Sequence, residues 1–180
     1  LQDEKAFIAQ LLTPKTQDAA FRQLMAQYNR PLYSHVRAIV LDHDDADDVL
    51  QNTFIKVFQN LKNFKGESKL FSWMYRIATN EALTFISQRA RKSGITNEEV
   101  QQKALNKLVA DEYFEGDAMQ LQLQQAVATL PEKQQLVFKM KYFQDIKYEE
   151  MSEILKTSVG ALKASYHHAV KKIEDYINQH

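Results

Sequence analysis

Apolar residues recur at helical spacing along almost the whole chain. Ala19, Phe21, Leu24, Tyr28, Leu32, Val36, Ile39 and Val40 fall mostly three or four residues apart, which predicts a long amphipathic helix over about residues 17–41, kinked at Pro31. The run Leu41-Asp42-His43-Asp44-Asp45 supplies capping and dipole-matching carboxylates for a second helix, whose apolar stripe is Leu50, Phe54, Val57, Phe58 and Leu61. Lys65-Gly66-Glu67-Ser68 breaks that helix, and Ser68 is placed to cap a third from about Lys69 to Arg91. The third helix carries Leu70, Phe71, Trp73, Met74, Tyr75, Ile77, Ala78, Leu83, Phe85 and Ile86, more apolar surface than one buried face needs. Further on, helices are predicted over Met119–Thr129, Glu132–Phe143, Tyr148–Leu155 and Val159–Ile177, with Leu130-Pro131 restarting the chain and Lys156-Thr157-Ser158 forming a turn. A short helix, a tight turn and a longer basic helix are the parts of a helix-turn-helix. Its internal core is expected from Ile146, Met151, Ile154, Leu155, Val159, Leu162, Ala169 and Ile173.

Composition supports an all-α chain. Among 180 residues there are 4 glycines and 3 prolines, too little punctuation for sandwiches, barrels or hairpins. Zero cysteines remove disulfides and thiolate chemistry and fit a cytoplasmic protein. The longest stretch free of charged residues, Ala118 to Pro131, holds four glutamines and is too short and polar to span a bilayer, and no stretch reads as a secretory signal. Basic and acidic residues balance at 23 each, but unevenly. Residues 1–93 carry 13 basic and 10 acidic residues, 94–117 carry 2 and 6, and 118–180 carry 8 and 7. Glycines at 94 and 116 bracket the acidic stretch. Two small helical domains, 1–93 and 118–180, are thus expected on either side of a mobile acidic linker, 94–117, with Ala104, Leu105, Leu108, Val109, Tyr113 and Phe114 as sparse apolar anchors; the alternative is a short helix packed on one domain, which the spacing of Leu105, Leu108 and Val109 permits.

Candidate chemistry is that of binding. Lys163, Ser165, Tyr166, His167, His168, Lys171 and Lys172 make the last helix donor-rich, suited to a major groove, although an amphipathic helix with a solvated lysine face has the same pattern. Adjacent histidines point about 100° apart on a helix and cannot share one metal ion. The cluster Asp42, Asp44, Asp45, Asp47 and Asp48 lacks the glycine and closing glutamate of a calcium loop and reads as helix capping plus a protein-docking face. No nucleophile–base arrangement and no phosphate-cradling glycine loop stands out, so neither catalysis nor a cofactor is expected. Phe64, Phe71, Trp73 and Tyr75 follow a basic, glycine-containing loop; they are core or, alternatively, stacking partners for extruded bases.

Three separated blocks carry a resemblance. They are Asp45-Ala46-Asp47-Asp48-Val49-Leu50-Gln51-Asn52-Thr53-Phe54; Phe64 to Ser68 with Phe71 to Asn80; and Leu130 to Gln134 with Tyr148 to Ile154 and Ser158 to Lys163. In this order the chain resembles a bacterial extracytoplasmic-function sigma factor of the sigma-70 family. The resemblance implies a promoter-melting region 2, a linker and a helix-turn-helix region 4. It implies that Asp47, Asp48, Gln51, Asn52 and Phe54 grip the clamp helices of the polymerase β′ subunit, and that region 4 also meets the β flap. The family often has glutamate where Asn52 stands. Lys65, Gly66, Glu67, Ser68 and Lys69, with Phe71, Trp73, Arg76 and Asn80, would take the −10 element. Ser158 and the donor-rich residues of the last helix would read the −35 element, with Ser165 and His168 standing where relatives usually have arginines. A protein that is monomeric when free and held by a membrane-associated anti-sigma factor is the implied state. The rival readings are a stand-alone helix-turn-helix regulator, which would need a dimerisation surface, and a helical enzyme or interaction module with a pocket at Phe71 and Trp73.

Overall fold

The structure, a computed structural model, describes residues 3–108, 110 and 116–180. All regular elements among them are helical. α1 spans Glu4–Leu12, α2 Pro14–Val40, α3 His43–Asn60 and α4 Leu70–Ser93, with a 3-10 turn over Leu61–Asn63. α2, α3 and α4 pack on one another, and α1 lies along α2. Pro31 sits inside a continuous α2. Asp42 caps α3, its carboxylate accepting from the Asp45 amide at 3.0 Å, as the sequence predicts. Gly94 ends α4 in a left-handed conformation at φ 65°, where a side chain would be strained.

Two features depart from the sequence reading of this half. Ser68 does not cap α4; the carboxylate of Glu4, from α1, accepts from the Leu70 amide at 3.2 Å instead. α1 itself was not expected. Its Phe7 and Leu11, one turn apart, are buried with Leu24, Val57, Leu70 and Met74 in one apolar cluster.

The acidic linker is not bare coil. Asn97–Leu108 forms α5, packed on α4, with Val100, Leu105 and Leu108 buried. The physical reason is a capping box: the Glu99 amide donates to the Thr96 hydroxyl at 3.2 Å while the Thr96 amide donates to the Glu99 carboxylate at 2.7 Å. Leu105 and Leu108 cluster with Leu41 at the end of α2, and Ala128 beyond the linker packs against the same cluster, so α5 straps the two halves together. Of the expected anchors, Val109, Tyr113 and Phe114 lie outside the described residues.

The second half comprises α6 (Ala118–Ala128), α7 (Glu132–Phe138), a π-helical turn over Lys139–Phe143, α8 (Tyr148–Leu155) and α9 (Val159–Gln179). Asp117 caps α6 and Ser158 caps α9. α7 and α9 pack together, and Ile146, Met151, Ile154, Leu162, Ala169 and Ile173 are buried as expected, while Leu155 and Val159 are half-buried. No helix among the described residues is long and apolar enough to cross a membrane.

Candidate functional site

The docking candidates lie on α3. Val49, Leu50, Thr53, Phe54 and Val57 face inward, and burying that stripe turns Asp44, Asp47, Asp48, Gln51, Asn52, Ile55 and Phe58 outward. Asp48, Gln51, Ile55 and Phe58 follow one another at three- and four-residue steps, a face that is acidic at its N-terminal end and apolar at its C-terminal end. Two corrections follow. Phe54, expected at the interface, is buried and meets Phe21 edge-on at 6.4 Å, so it belongs to the core. The exposed apolar residues are Ile55 and Phe58, at 49% and 42% exposure, with Phe58 held edge-on to Phe21 at 5.0 Å. The helical phase set by Val49, Leu50 and Val57 was the signal that could have found them.

Asp45 is also buried, and its carboxylate pairs with Arg89 of α4. Burial pushes the Asp45 carboxyl above its ordinary range, against the pull of Arg89. It fixes α3 to α4 rather than facing a partner.

The loop before α4 is exposed at Lys65, Gly66 and Glu67 and half-buried at Ser68. Gly66 has φ 71° and open space where a Cβ would sit, so its glycine is needed for backbone conformation, not for close approach. Along α4, Asn80 is exposed, whereas Phe71, Trp73 and Arg76 are half-buried. Phe71 lies against Tyr75 at 4.1 Å, and burial raises the Tyr75 hydroxyl pKa strongly. Trp73 packs on Phe64 at 5.0 Å at the edge of the α1–α2–α4 cluster. It holds the loop from beneath. Because the indole is only half-buried, Trp73→Ala is expected to lower stability by about 2 kcal/mol rather than unfold the chain, less than for a fully buried tryptophan. Equilibrium urea unfolding measures this, and a loss under about 0.5 kcal/mol, the scatter of surface substitutions, would remove the supporting role.

In the helix-turn-helix, Lys156 adopts a left-handed conformation at φ 53° and turns the chain between α8 and α9. Leu162, Ala169 and Ile173 anchor α9 inward. Lys163, His167 and Lys171 therefore form an exposed stripe at four-residue steps, with His168 and Lys172 exposed beside it and Ser165 half-buried. The His167 and His168 rings are 6.0 Å apart with planes 60° to each other. Two expected groove contacts have structural roles. Tyr166 stacks on Phe138 at 5.8 Å, and the Ser158 hydroxyl accepts from the Ala161 amide at 3.2 Å.

Comparison with known proteins places the chain in one family. The family description Sigma-70 region 2 matches residues 24–92, and Sigma-70, region 4 matches residues 120–173. The RNA polymerase sigma-H factor of Pseudomonas aeruginosa is 28% identical over 174 residues, covering 86% of this chain and 84% of its own. The ECF RNA polymerase sigma factor SigW of Bacillus subtilis is 29% identical over 156 residues, covering 82% and 83%. Among solved structures, CnrH in complex with the cytosolic domain of CnrY matches with a TM-score of 0.70 at 19% identity over 98% of this chain and 97% of that one. The sigma factor RpoE of Bartonella quintana, in complex with the anti-sigma factor NepR, matches at 0.65 and 18% identity over 88% and 96%. Both likenesses are of fold. With both family regions matched in order and the curated relatives aligned over most of their length, the chain belongs to the sigma-70 family, in its extracytoplasmic-function group, and is an RNA polymerase sigma factor acting in promoter-directed transcription initiation.

Proposed function

We propose that the three faces divide the work of initiation between them. Asp47, Asp48, Gln51 and Asn52, extended by Ile55 and Phe58, dock on the β′ clamp helices of core polymerase, and region 4 engages the β flap. Lys65 to Lys69, with Arg76 and Asn80, hold the melted −10 strand over the support given by Phe71 and Trp73. Lys163, His167, His168, Lys171 and Lys172 enter the −35 major groove. With no arginine fork on that stripe, base reading falls to lysine and imidazole donors. Residues 1–93 and 118–180 act as the two functional units, joined by residues 94–117. The protein acts in the cytoplasm, is monomeric when free, needs no cofactor and leaves all catalysis to the polymerase. By analogy with the RpoE–NepR and CnrH–CnrY complexes, a membrane-associated anti-sigma factor restrains it by covering these faces.

The observation carrying this reading is the exposed acid, amide and apolar series on α3, on the same chain as a separate helix-turn-helix. Opening a base from the stack costs a few kcal/mol, which contacts to the extruded strand must offset. Lys65→Ala with Asn80→Ala, both exposed, is expected to leave the fold and core binding intact and slow strand opening. Permanganate footprinting of unpaired thymines with reconstituted holoenzyme measures this. Normal reactivity would show that the loop does not open the promoter.

A further inference from the structure

The two halves of the chain meet in more than one place. α8 packs along α4. Elsewhere a cavity of about 280 Å³ lies between them, walled by α2, the last residue of α5, α6 and the π-helical turn. Leu41, Leu108 and the partly exposed ring of Phe143 give it apolar surface. Its polar groups are Arg37, Tyr33 and Ser34 from α2, Gln124 from α6 and Lys139 from the π-helical turn. Two of these are cations, and among the described lining residues there is no acid.

Lys139 is out of place by ordinary packing rules. Val137, Phe138 and Met140 beside it are buried core residues, and Lys139 is buried with them at 4% exposure. It opens the π-helical turn, an irregularity frequent at functional sites. Its ammonium makes no hydrogen bond or ion pair with any described residue. A buried charge without a partner is costly, and burial pushes the Lys139 pKa down to about 8. At pH 7 the group is therefore still mostly charged, and it lines the cavity. Arg37, across the same space, is held in position: its Nε donates to the Leu41 carbonyl at 2.7 Å and its Nη1 to the Tyr33 hydroxyl at 3.1 Å. A fixed guanidinium and an unpaired ammonium at one cavity suit the oxygens of a phosphate group.

We propose that this cavity binds a small organic phosphate, with its phosphoryl oxygens between Lys139 and Arg37 and its apolar body against Leu41, Leu108 and Phe143. The volume is at the small end for ligand sites and suits a body of one ring. None of these residues belongs to a surface assigned to polymerase or promoter DNA, so the site does not depend on those assignments. Because its walls come from both halves, an occupant ties α2 to the π-helical turn, a tie set by the concentration of a solute.

The test uses the full chain in phosphate-free buffer at pH 7, titrated with phenyl phosphate, inorganic phosphate and benzoate by calorimetry. Phenyl phosphate should bind one to one, at least about tenfold tighter than inorganic phosphate, which lacks the apolar body, and than benzoate, which lacks the phosphoryl group. Lys139→Met replaces the buried charge with an apolar chain of similar length, a change that buried charges often tolerate, and should weaken phenyl phosphate at least about tenfold while the helical circular dichroism is kept. If that variant does not fold, the wild-type chain decides by NMR of its labelled lysine side chains. Lys139 should titrate near 8 alone, and saturating phenyl phosphate should raise that value, because a bound anion favours the charged form. Absence of phenyl phosphate binding at millimolar concentration overturns the proposal. So does equal binding of benzoate or inorganic phosphate, an unchanged affinity in a folded Lys139→Met chain, or a Lys139 titration that phenyl phosphate does not move.

Discussion

Asp48→Lys combined with Gln51→Ala is expected to weaken binding to core polymerase by about a hundredfold or more while the chain stays folded. Both side chains are exposed on α3, so the substitutions remove no internal contact. A charged pair desolvated at an interface costs about 2–5 kcal/mol when one partner is lost, and reversing the charge adds repulsion. On that scale the dissociation constant rises roughly thirtyfold to several thousandfold. Phe58→Ala should add a smaller loss by removing apolar area from the same face. Phe54→Ala is the contrast: with Phe54 buried against Phe21, it should lower the melting temperature and leave the intrinsic affinity of the folded fraction unchanged. Competition for core polymerase against a labelled wild-type chain, read beside thermal melts, separates the two. Unchanged affinity in the α3 double variant would remove this face from the interface.

Stability is expected to fall steeply as the solution is acidified from about pH 6.5 to 4, because of one buried imidazole. His35 is fully buried on α2, and burial lowers its pKa from 6.5 to about 4. The folded chain holds this ring neutral, so below pH 6.5 the unfolded chain binds the extra proton. The stabilisation is present in full above that value and disappears as pH drops through about 4. The shift corresponds to about 3 kcal/mol. The hydrogen bonds fit a neutral ring with one adjustment. The Thr79 hydroxyl donates to the Tyr75 carbonyl at 2.7 Å, so at 2.7 Å from His35 Nε2 it acts as an acceptor. With Nε2 protonated, neutral Nδ1 needs a donor. Turning the Gln144 amide end for end provides one and gives its otherwise partnerless nitrogen an acceptor. His35→Gln cannot titrate, and urea unfolding at pH 7 and pH 4.5 should show a smaller loss for it than for wild type. Equal losses would place the acid sensitivity elsewhere.

The fold class was legible because helical spacing is redundant: each of α2, α3, α8 and α9 repeats its apolar stripe over several turns and closes on glycine or polar breaks. α1 offered only Phe7 and Leu11 as a buried pair, too short a pattern to separate from coil. α5 announced itself in Thr96-Asn97-Glu98-Glu99, but the acidic composition masked the capping box. The site was legible in kind and less so in residue. Asp48, Gln51, Lys65 and Asn80 are exposed, while Phe54, Tyr166 and Ser158 serve the scaffold, because an aromatic or a serine in a family motif is used as readily for packing or capping as for contact. The meeting of α8 with α4 left one trace, the surplus apolar surface of the third helix, and nothing in it that named the partner, because the two surfaces lie far apart in sequence.

The bond from Glu4 to the start of α4 ties α1 to the helix proposed to hold the melted strand. A region 2 fragment cut where the family match begins, at residue 24, would lose that cap and strip Phe7 and Leu11 from beneath Leu70 and Met74. Such a fragment would carry Phe71, Trp73, Arg76 and Asn80 on a helix that lacks its first-turn cap. A change that disturbs α1 is expected to reach the proposed strand-binding face across 66 residues of sequence, through a single carboxylate.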